Sequence, residues 1–344
     1  MASLQDRLTA YLAEQLPQAS DVEVHDLDRI FGGASRETYR FVLRHRDGEQ
    51  ANATERRLIL RRDPPGSLIE TERAIEFAAY RAFSGSAVPV PEALWLEEDE
   101  RWLDHPFFVM EELVGFEASP QALMAPPYAQ HAAKLAEQKW TILGEISHAD
   151  AKALGLEGVM APVSADACWQ RELSYWESRI DDGELCPQPV IRAAIRELRR
   201  SPPPPAQKVG VVHGDFRTGN FLVDGEGTIR GILDWEMAHL GDPLEDLAWG
   251  INPVWRWARD GRAGGLASRE QAIAIWQRAS GLTADPDALR WWEIFSSVKG
   301  QAIWVSGAKE FSQGVNQDPI LGLSSWLMGN SQDRAVLHDL GRLT

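Results

Sequence analysis

The stretch VVHGDFRTGNFLVD, from Val211 to Asp224, contains the residues that decide the fold and the chemistry of this chain. It carries the spacing H-x-D-x-x-x-x-N between two short apolar runs, with Asp215 and Asn220 at its polar positions. Phosphoryl transfer needs positioning, metal-borne positive charge and a carboxylate near the attacking hydroxyl. We therefore interpret Asp215 as the group that takes the hydroxyl proton, and Asn220 as a Mg²⁺ ligand through its amide oxygen.

A second carboxylate follows at the end of the next apolar segment. Phe221 to Val223 and Ile229 to Leu233 flank a Gly-containing turn, which predicts a β-hairpin, and Asp234 follows it directly. Hard cations prefer oxygen ligands, so Asp234 can join Mg²⁺ to nucleotide phosphates. Glu236 is a possible further metal ligand, and a hydrogen bond to its own loop is an equal alternative.

The block HGDFRTGNFLVD, followed by GILDWEMAHLGDPLEDLAW, resembles the aminoglycoside phosphotransferase and choline kinase superfamily. Within it, the block is most similar to bacterial phosphotransferases akin to the kinase-like domain fused to some acyl-CoA dehydrogenases. The resemblance implies ATP as phosphoryl donor, Mg²⁺ as cofactor, Asp215 as catalytic base, and Asn220 and Asp234 as metal ligands.

The same resemblance gives His213 a supporting role, and the sequence around Pro243 gives supporting roles to Asp242 and Asp246. His213 is expected to pack behind the metal-binding segment. Asp242, before Pro243, is a good N-cap with proline at the first helical position. We assign Asp242 and Asp246 to the scaffold of the loop and not to the chemistry.

The segment RIFGGASRETYRF resembles the glycine-rich turn that covers the phosphates in this superfamily. Gly32 and Gly33 would let backbone N–H groups approach an anion closely, and Ser35 would add a contact. By itself the motif is weak, because Gly-Gly turns are common in hairpins.

The cation of the small lobe departs from the usual pattern, because no lysine precedes Lys134. Arg61, in L-I-L-R, falls where the strand lysine of related kinases would lie. Glu76 is its expected partner on the following helix, with Glu72, one turn earlier, as the alternative. Arginine makes planar, bidentate phosphate contacts and is not equivalent to lysine.

The segment FFVMEELVG resembles the hinge between the lobes of a kinase. Backbone groups of Glu111 and Leu113 would read the edge of adenine. An edge strand that enters a turn would show the same pattern.

The order of the patterns predicts an α+β chain with a small β-rich lobe, a connector and a larger helical lobe, and the resemblance implies a bilobal, protein-kinase-like fold. We expect a small β-rich N-lobe with one helix over residues 1–111, led by a helix over 1–17. A hinge over 112–116 and a larger, mainly helical C-lobe over 117–344 follow. Strands are predicted over 36–45, 56–62 and within 103–113, and helices over 67–83, 128–148 and 165–199.

The bulk composition excludes several classes of protein. A formal net charge of −16 argues against broad attraction to nucleic acid or to an anionic membrane surface. No apolar run approaches the roughly 20 residues of a membrane span, and the N-terminus lacks signal-peptide features. The two cysteines have no metal-ligand spacing, so a cytoplasmic protein with free thiols is expected. Whether the chain is a monomer or a homodimer stays open.

The acceptor is predicted only as a small molecule with a hydroxyl group. The helices after Pro243 are rich in tryptophan, which is more often core than a cage for a cation. Acidic side chains that would bind an aminoglycoside are scattered, at Glu310, Asp318 and near 258–260. The alternatives are a nucleotide-binding pseudokinase that acts as a sensor or scaffold, and a true aminoglycoside-resistance phosphotransferase.

Overall fold

The N-terminal third of the chain is a five-stranded antiparallel sheet with two helices. The computed structural model describes residues 2–30, 37–47, 52–63, 73–256, 261–315 and 319–342. The first elements are α1 (Leu4–Gln15), β1 (Ser20–Ile30), β2 (Glu37–Arg46), β3 (Ala53–Arg62), α2 (Arg73–Phe83), β4 (Ala93–Glu97) and β5 (Phe107–Glu111). The strand order is β1-β2-β3-β5-β4. The three predicted strands are therefore confirmed, with ends that differ by a few residues.

Alternation of apolar and polar residues explains the sheet. Phe41 of β2 is paired with Leu58 of β3, and both are buried on the face that α1 covers. α1 begins with a capping box in which Ser3 and Asp6 exchange hydrogen bonds, an arrangement that satisfies free N–H groups at a helix start. Tyr11 of α1 then packs edge-on against Phe107 of β5.

The rest of the chain is mainly helical, with short strands around the H-G-D segment. Its helices are α3 (Pro120–Leu123), α4 (Ala132–His148), α5 (Cys168–Gly183), α6 (Pro189–Arg200), α7 (Leu244–Ile251), α8 (Arg269–Ser280), α9 (Pro286–Ser312) and α10 (Pro319–Asp339). Its strands are β6 (Gly210–Val212), β7 (Phe221–Val223), β8 (Ile229–Ile232) and β9 (His239–Gly241). β7 pairs with β8 as the predicted hairpin, and β6 pairs with β9.

Two expectations need correction. The helical pattern over 165–199 is two helices, α5 and α6, because Pro187 and Pro189 interrupt the helix between them. Asp242 is not the N-cap residue of the helix after it, since α7 begins at Leu244 with Pro243 at the cap. The Asp242 carboxylate nevertheless accepts a hydrogen bond from the Leu244 amide at 3.0 Å.

The second helix of the N-terminal part packs against the larger helical part. Phe83 of α2 stacks on Trp235, with ring centroids 4.9 Å apart, and both side chains belong to the apolar cluster that fills the helical part. This packing holds α2, and the end of β3 near it, against the loop that follows β8. None of the described helices is long and apolar enough to cross a membrane.

Candidate active site

The H-G-D loop connects β6 to β7 and brings Asp215 and Asn220 into direct contact. The Asn220 side-chain amide donates to the Asp215 carboxylate at 2.7 Å and to the Asp215 backbone carbonyl at 2.9 Å. Both amide hydrogens are then used, while the amide oxygen accepts no hydrogen bond from the described residues. The oxygen of Asn220 is thus the part of that side chain left for a cation.

Trp249, from α7, holds the other oxygen of the Asp215 carboxylate. Its indole Nε1 donates to Asp215 Oδ1 at 2.7 Å, and the tryptophan is almost fully buried. A rigid donor on one oxygen and Asn220 on the other fix the plane of the carboxylate. Such fixed orientation is what a group needs in order to meet a bound hydroxyl productively.

Position 214 has to be a glycine, because the loop that contains Met237 lies very close to it. Its φ is +84°, and a Cβ there would lie 2.4 Å from the Met237 carbonyl oxygen. Any other residue would therefore push the H-G-D loop away from the loop that carries Asp234.

His213 is buried and ties these two loops together. Its Nδ1 accepts from the Asp215 amide at 3.1 Å, so its Nε2 donates to the Leu233 carbonyl at 2.9 Å. Burial lowers the pKa of its imidazole to about 4, so the ring is neutral at pH 7. The predicted structural role stays a prediction, and these contacts suit it.

Asp234 follows β8 directly and adopts left-handed backbone geometry, with φ 67°. Its amide donates to the Tyr80 hydroxyl oxygen of α2 at 2.9 Å. Burial raises the pKa of its carboxyl, but the Arg61 guanidinium outweighs that effect, and the net shift is downward. The carboxylate therefore stays ionised in a half-buried position.

Arg61 lies between the two parts of the chain and contacts carboxylates on both sides. Its Nη2 is 2.7 Å from Asp234 Oδ1 and 3.8 Å from Glu236 Oε2, and its Nε is 2.9 Å from Glu76 Oε1. Glu76 also pairs with Arg73 at 2.8 Å. The residue that the sequence places at the strand lysine thus faces the metal-ligand candidates, and Glu76 is its partner on α2.

The donor set near this arginine fits a divalent cation. The candidate ligand atoms are the carboxylate oxygens of Asp234 and Glu236 and the side-chain amide oxygen of Asn220, and Mg²⁺ prefers oxygen ligands. Four carboxylates, counting Glu76 and Asp215, lie close to Arg61 or to Asn220, so additional positive charge would stabilise the site.

The remaining predicted site residues are spread more widely. Glu111 ends β5, where its amide donates to the Glu92 carbonyl at 2.9 Å, and Leu113 packs against Gly231 of β8. Asp242 accepts a hydrogen bond from the Trp292 indole at 3.0 Å, away from Asp215. Gly32, Gly33, Ser35 and the alternative Glu72 lie outside the described residues.

The backbone of the H-G-D loop is held by Asp246, which the sequence analysis assigns to the scaffold of the loop, and by Lys299, which the sequence analysis did not find. Asp246 of α7 accepts from the His213 and Gly214 amides at 2.6 and 2.9 Å. Lys299 of α9 is fully buried and donates to the Gly214 carbonyl at 2.6 Å and to Glu245 at 2.9 Å. No local signal marks Lys299, because it is 85 residues away from Gly214 in the sequence.

A buried ion network continues from Lys299 beneath the loop. His239 Nε2 lies 3.1 Å from Glu245 and 3.5 Å from Glu172, and Arg171 pairs with Glu172 at 2.9 Å. The His239, Glu172 and Glu245 ligand atoms lie within 4.8 Å of one another, as metal ligands would. The negative charges of Glu172 and Glu245 are already neutralised by Lys299, Arg171 and a protonated His239. We therefore interpret the group as an ion network.

Because of His239, the free energy of unfolding should decrease as the pH becomes alkaline. Burial opposes protonation, but Glu172 and Glu245 outweigh it and raise the pKa of the imidazole to about 9 from 6.5. The folded state keeps a proton that the unfolded state loses between these values, so the free energy of unfolding falls as pH rises through this window. We expect wild type to lose about 1–3 kcal/mol more than His239→Gln between about pH 6 and pH 9.5.

Urea denaturation at several pH values measures this difference directly. Subtracting the variant's profile removes the contributions of other titrating groups, such as the buried Lys139, whose pKa burial lowers to about 7. Parallel profiles for the two proteins would show that His239 is not held as an imidazolium.

Comparisons with known proteins show which proteins this chain resembles. Residues 26–292 match the family model described as the phosphotransferase enzyme family. Acyl-CoA dehydrogenase family member 10 of Mus musculus is 30% identical over 258 residues, which are 72% of this chain and 22% of that protein. Acyl-CoA dehydrogenase family member 11 of Homo sapiens is 26% identical over 296 residues, which are 79% and 37%. The chain thus spans between about a fifth and two fifths of these relatives' lengths.

Solved structures confirm the predicted kinase-like fold. A candidate aminoglycoside phosphotransferase from Ralstonia eutropha has a TM-score of 0.71 at 21% identity, covering 97% of this chain and 98% of that one. A mutant of aminoglycoside phosphotransferase APH(4)-Ia, in complex with ADP and hygromycin B, has a TM-score of 0.60 at 19% identity, covering 96% and 98%. Because the family model matches most of the chain, this protein belongs to the phosphotransferase enzyme family.

Proposed function

We propose that this chain transfers the γ-phosphate of ATP to a hydroxyl group of a small molecule, with Asp215 as the base. The observation that carries the proposal is the Asp215 carboxylate, oriented by Trp249 and Asn220 in a loop that Arg61 and Asp234 face. Asn220 and Asp234 would hold Mg²⁺, with Glu236 as a possible third ligand. When bound, the ion would neutralise phosphate charge.

The residues of the chain have separable tasks in this reaction. Asp215 accepts the proton of the acceptor hydroxyl. The hydroxyl oxygen forms a bond to the γ-phosphorus, and the bond between that phosphorus and ADP breaks. Arg61 contributes positive charge beside the phosphates. His213 and Asp246 hold the loop so that Asp215 does not reorient during the transfer.

The register of the sheet supports the direction in which the nucleotide would lie. Arg61 of β3 pairs with Phe108 of β5, and Glu111 is three residues further along β5. Three residues of strand span about 10 Å. We propose that adenine lies at Glu111 and Leu113, where backbone groups would read its edge, and that the phosphates extend towards Arg61. Gly32, Gly33 and Ser35 keep their predicted part in covering the phosphates.

For the acceptor we propose a hydroxylated metabolite of the hydroxyacyl kind. The curated relatives are named as acyl-CoA dehydrogenase family members, so a hydroxylated acyl compound is the acceptor class that suits their names. A cationic acceptor such as an aminoglycoside would need carboxylates that face Asp215. Of the acidic residues considered for that task, Glu310 is on α9 and half-buried, and the others lie outside the described residues.

An acceptor panel tests this proposal. ADP release with ATP and Mg²⁺ would be followed for hydroxyacyl thioesters, free hydroxy acids, choline and hygromycin B, with GTP as the alternative donor. We expect acceptor-dependent ADP release with a hydroxyacyl compound and a phosphorylated product by mass spectrometry. Turnover confined to hygromycin B would favour the resistance enzyme. Nucleotide binding without any acceptor-dependent turnover would favour the sensor.

A further inference from the structure

Arg217 is the second residue after Asp215 and belongs to the same loop. Its Nε donates to Asp215 Oδ2 at 3.2 Å. That oxygen is also the one to which Asn220 donates, so Arg217 and Asn220 share one side of the carboxylate while Trp249 holds the other.

The Arg217 side chain stacks on Trp255 and lies in space that Gly219 leaves open. Its guanidinium carbon lies 4.9 Å from the centre of the Trp255 ring, a stacking contact typical of arginine. A Cβ on Gly219 would come within 2.8 Å of Arg217 Nη1, so the glycine leaves room for the guanidinium. The side chain keeps 26% of its surface exposed.

Most of the donors of this guanidinium are available. Arginine has five N–H groups, and among the described residues only its Nε makes a hydrogen bond. The Nη groups therefore extend beyond Asp215 and remain free to bind an anion with two parallel hydrogen bonds.

Arg217 and Arg61 contact different carboxylates of the site. Arg217 donates to Asp215, and Arg61 is paired with Asp234. Arg217 is thus on the side of the proposed base, and Arg61 is on the side of the proposed metal ligands. In the proposed function the phosphoryl group passes from the nucleotide to an acceptor beside Asp215, so it ends its transfer near Arg217.

We propose that Arg217 is a catalytic residue that binds the γ-phosphoryl group of the nucleotide before and during its transfer. This inference rests on the proposed function. The acceptor oxygen bonds to phosphorus, the bond to the β–γ bridging oxygen breaks with its electron pair going to ADP, and the acceptor proton goes to Asp215. The Arg217 Nη groups donate to non-bridging oxygens of the phosphoryl group and stay protonated throughout.

The physical reason for an arginine at this position is the charge that the moving group carries. The non-bridging oxygens keep their negative charge while the phosphorus changes partners. A planar cation that is held by Trp255 and Asp215 needs no rearrangement to meet them. Preorganised charge of this kind stabilises a transition state more than charge that must move into place.

Nucleotide binding tests the proposal without any acceptor. Beryllium fluoride with ADP and Mg²⁺ imitates the γ-phosphoryl group, so calorimetric affinities for ADP with and without it isolate the contacts to that group. We expect wild type to bind the fluoride complex more tightly than ADP. Arg217→Gln should weaken binding of the fluoride complex roughly 10- to 100-fold, and binding of ADP less than about threefold. Arg217→Lys should lie in between, because it keeps the charge but loses the fork.

A matched variant and two contrary results complete the design. Arg230→Gln also removes an exposed arginine that bonds an aspartate, Asp224 at 2.7 Å, and should bind both forms like wild type. If Arg217→Gln and Arg217→Lys lose affinity for ADP and the fluoride complex equally, or lose none, the proposal is wrong while the proposed function stands. If wild type binds ADP equally tightly with and without beryllium fluoride, both the Arg217 proposal and the proposed function are wrong. Circular dichroism checks folding, and Arg217→Lys carries the test if Arg217→Gln does not fold.

Discussion

Asp215→Asn is expected to lower the rate of acceptor phosphorylation about 10²- to 10⁴-fold, the range for loss of a general base. Asparagine has nearly the same shape, and its oxygen can still accept the Trp249 indole hydrogen, but its amide group cannot take up the proton of a hydroxyl. The affinity for ATP should change little, because the proposed function places Asp215 against the acceptor and not against the nucleotide.

The same substitution elsewhere provides the control. Asp224→Asn changes a carboxylate in the turn between β7 and β8, where the side chain accepts from the Glu226 and Thr228 amides. That variant should keep its turnover. Rates would be measured at saturating ATP with the best acceptor of the panel. A loss of less than about tenfold in Asp215→Asn would fall outside the range for a base and would remove Asp215 from that role.

Arg61→Ala is expected to damage both activity and stability. It leaves the fully buried Glu76 with one cation fewer and removes the closest cation of Asp234. Breaking a buried ion pair by removing one partner costs about 3–5 kcal/mol. Because we propose that Arg61 contributes positive charge beside the phosphates, its loss should also lower kcat/KM for ATP by roughly 10²-fold or more, as loss of a preorganised donor does.

The adjacent arginine is the natural control for this variant. Arg62 points to the other side of β3, where it pairs with Glu37 and donates to the Leu103 carbonyl at 3.0 Å. Arg62→Ala should also destabilise the fold, because its partner Glu37 keeps only 13% of its side chain exposed, but it should barely change the KM for ATP. Urea denaturation and initial rates would compare the two. Equal effects on kcat/KM would show that Arg61 is not the phosphate-side cation.

Local sequence was enough to predict the parts of the site that lie close together in the chain. Asp215 and Asn220 share one loop, and Asp234 follows the hairpin that this loop enters, so fixed spacing translates directly into proximity. Arg61 was predicted from its place on a strand, and register with β5 then sets its position. The division into a β-rich part and a helical part followed from the change between strand-like and helix-like periodicity, and the resemblance of the H-G-D block implied the kinase-like fold.

Other parts depend on packing that no local pattern encodes. Trp249 reaches Asp215 from 34 residues away, and tryptophans on a helix read as core, which Trp249 also is. The break between α5 and α6 was missed because residues 165–199 have helical composition on both sides of Pro187. Arg217 lies within the H-G-D motif, but its contacts with Asp215 and Trp255 in the folded chain are what show where its guanidinium lies.

The Lys299 contact with the Gly214 carbonyl has a consequence for evolution and engineering of this scaffold. α9 reaches the H-G-D loop through Lys299, and five residues later it presents Trp304, whose ring lies 6.5 Å from that of Trp255. One helix therefore anchors the loop and borders the aromatic cluster beside it. Mutant libraries aimed at new acceptors can vary residues on the Trp304 side of α9 freely only while the helix keeps its position along its axis, so that Lys299 stays beside Gly214. A shift by one turn, about 5.4 Å, would withdraw the lysine from the loop, so insertions and deletions in α9 should be selected against even where point substitutions are tolerated.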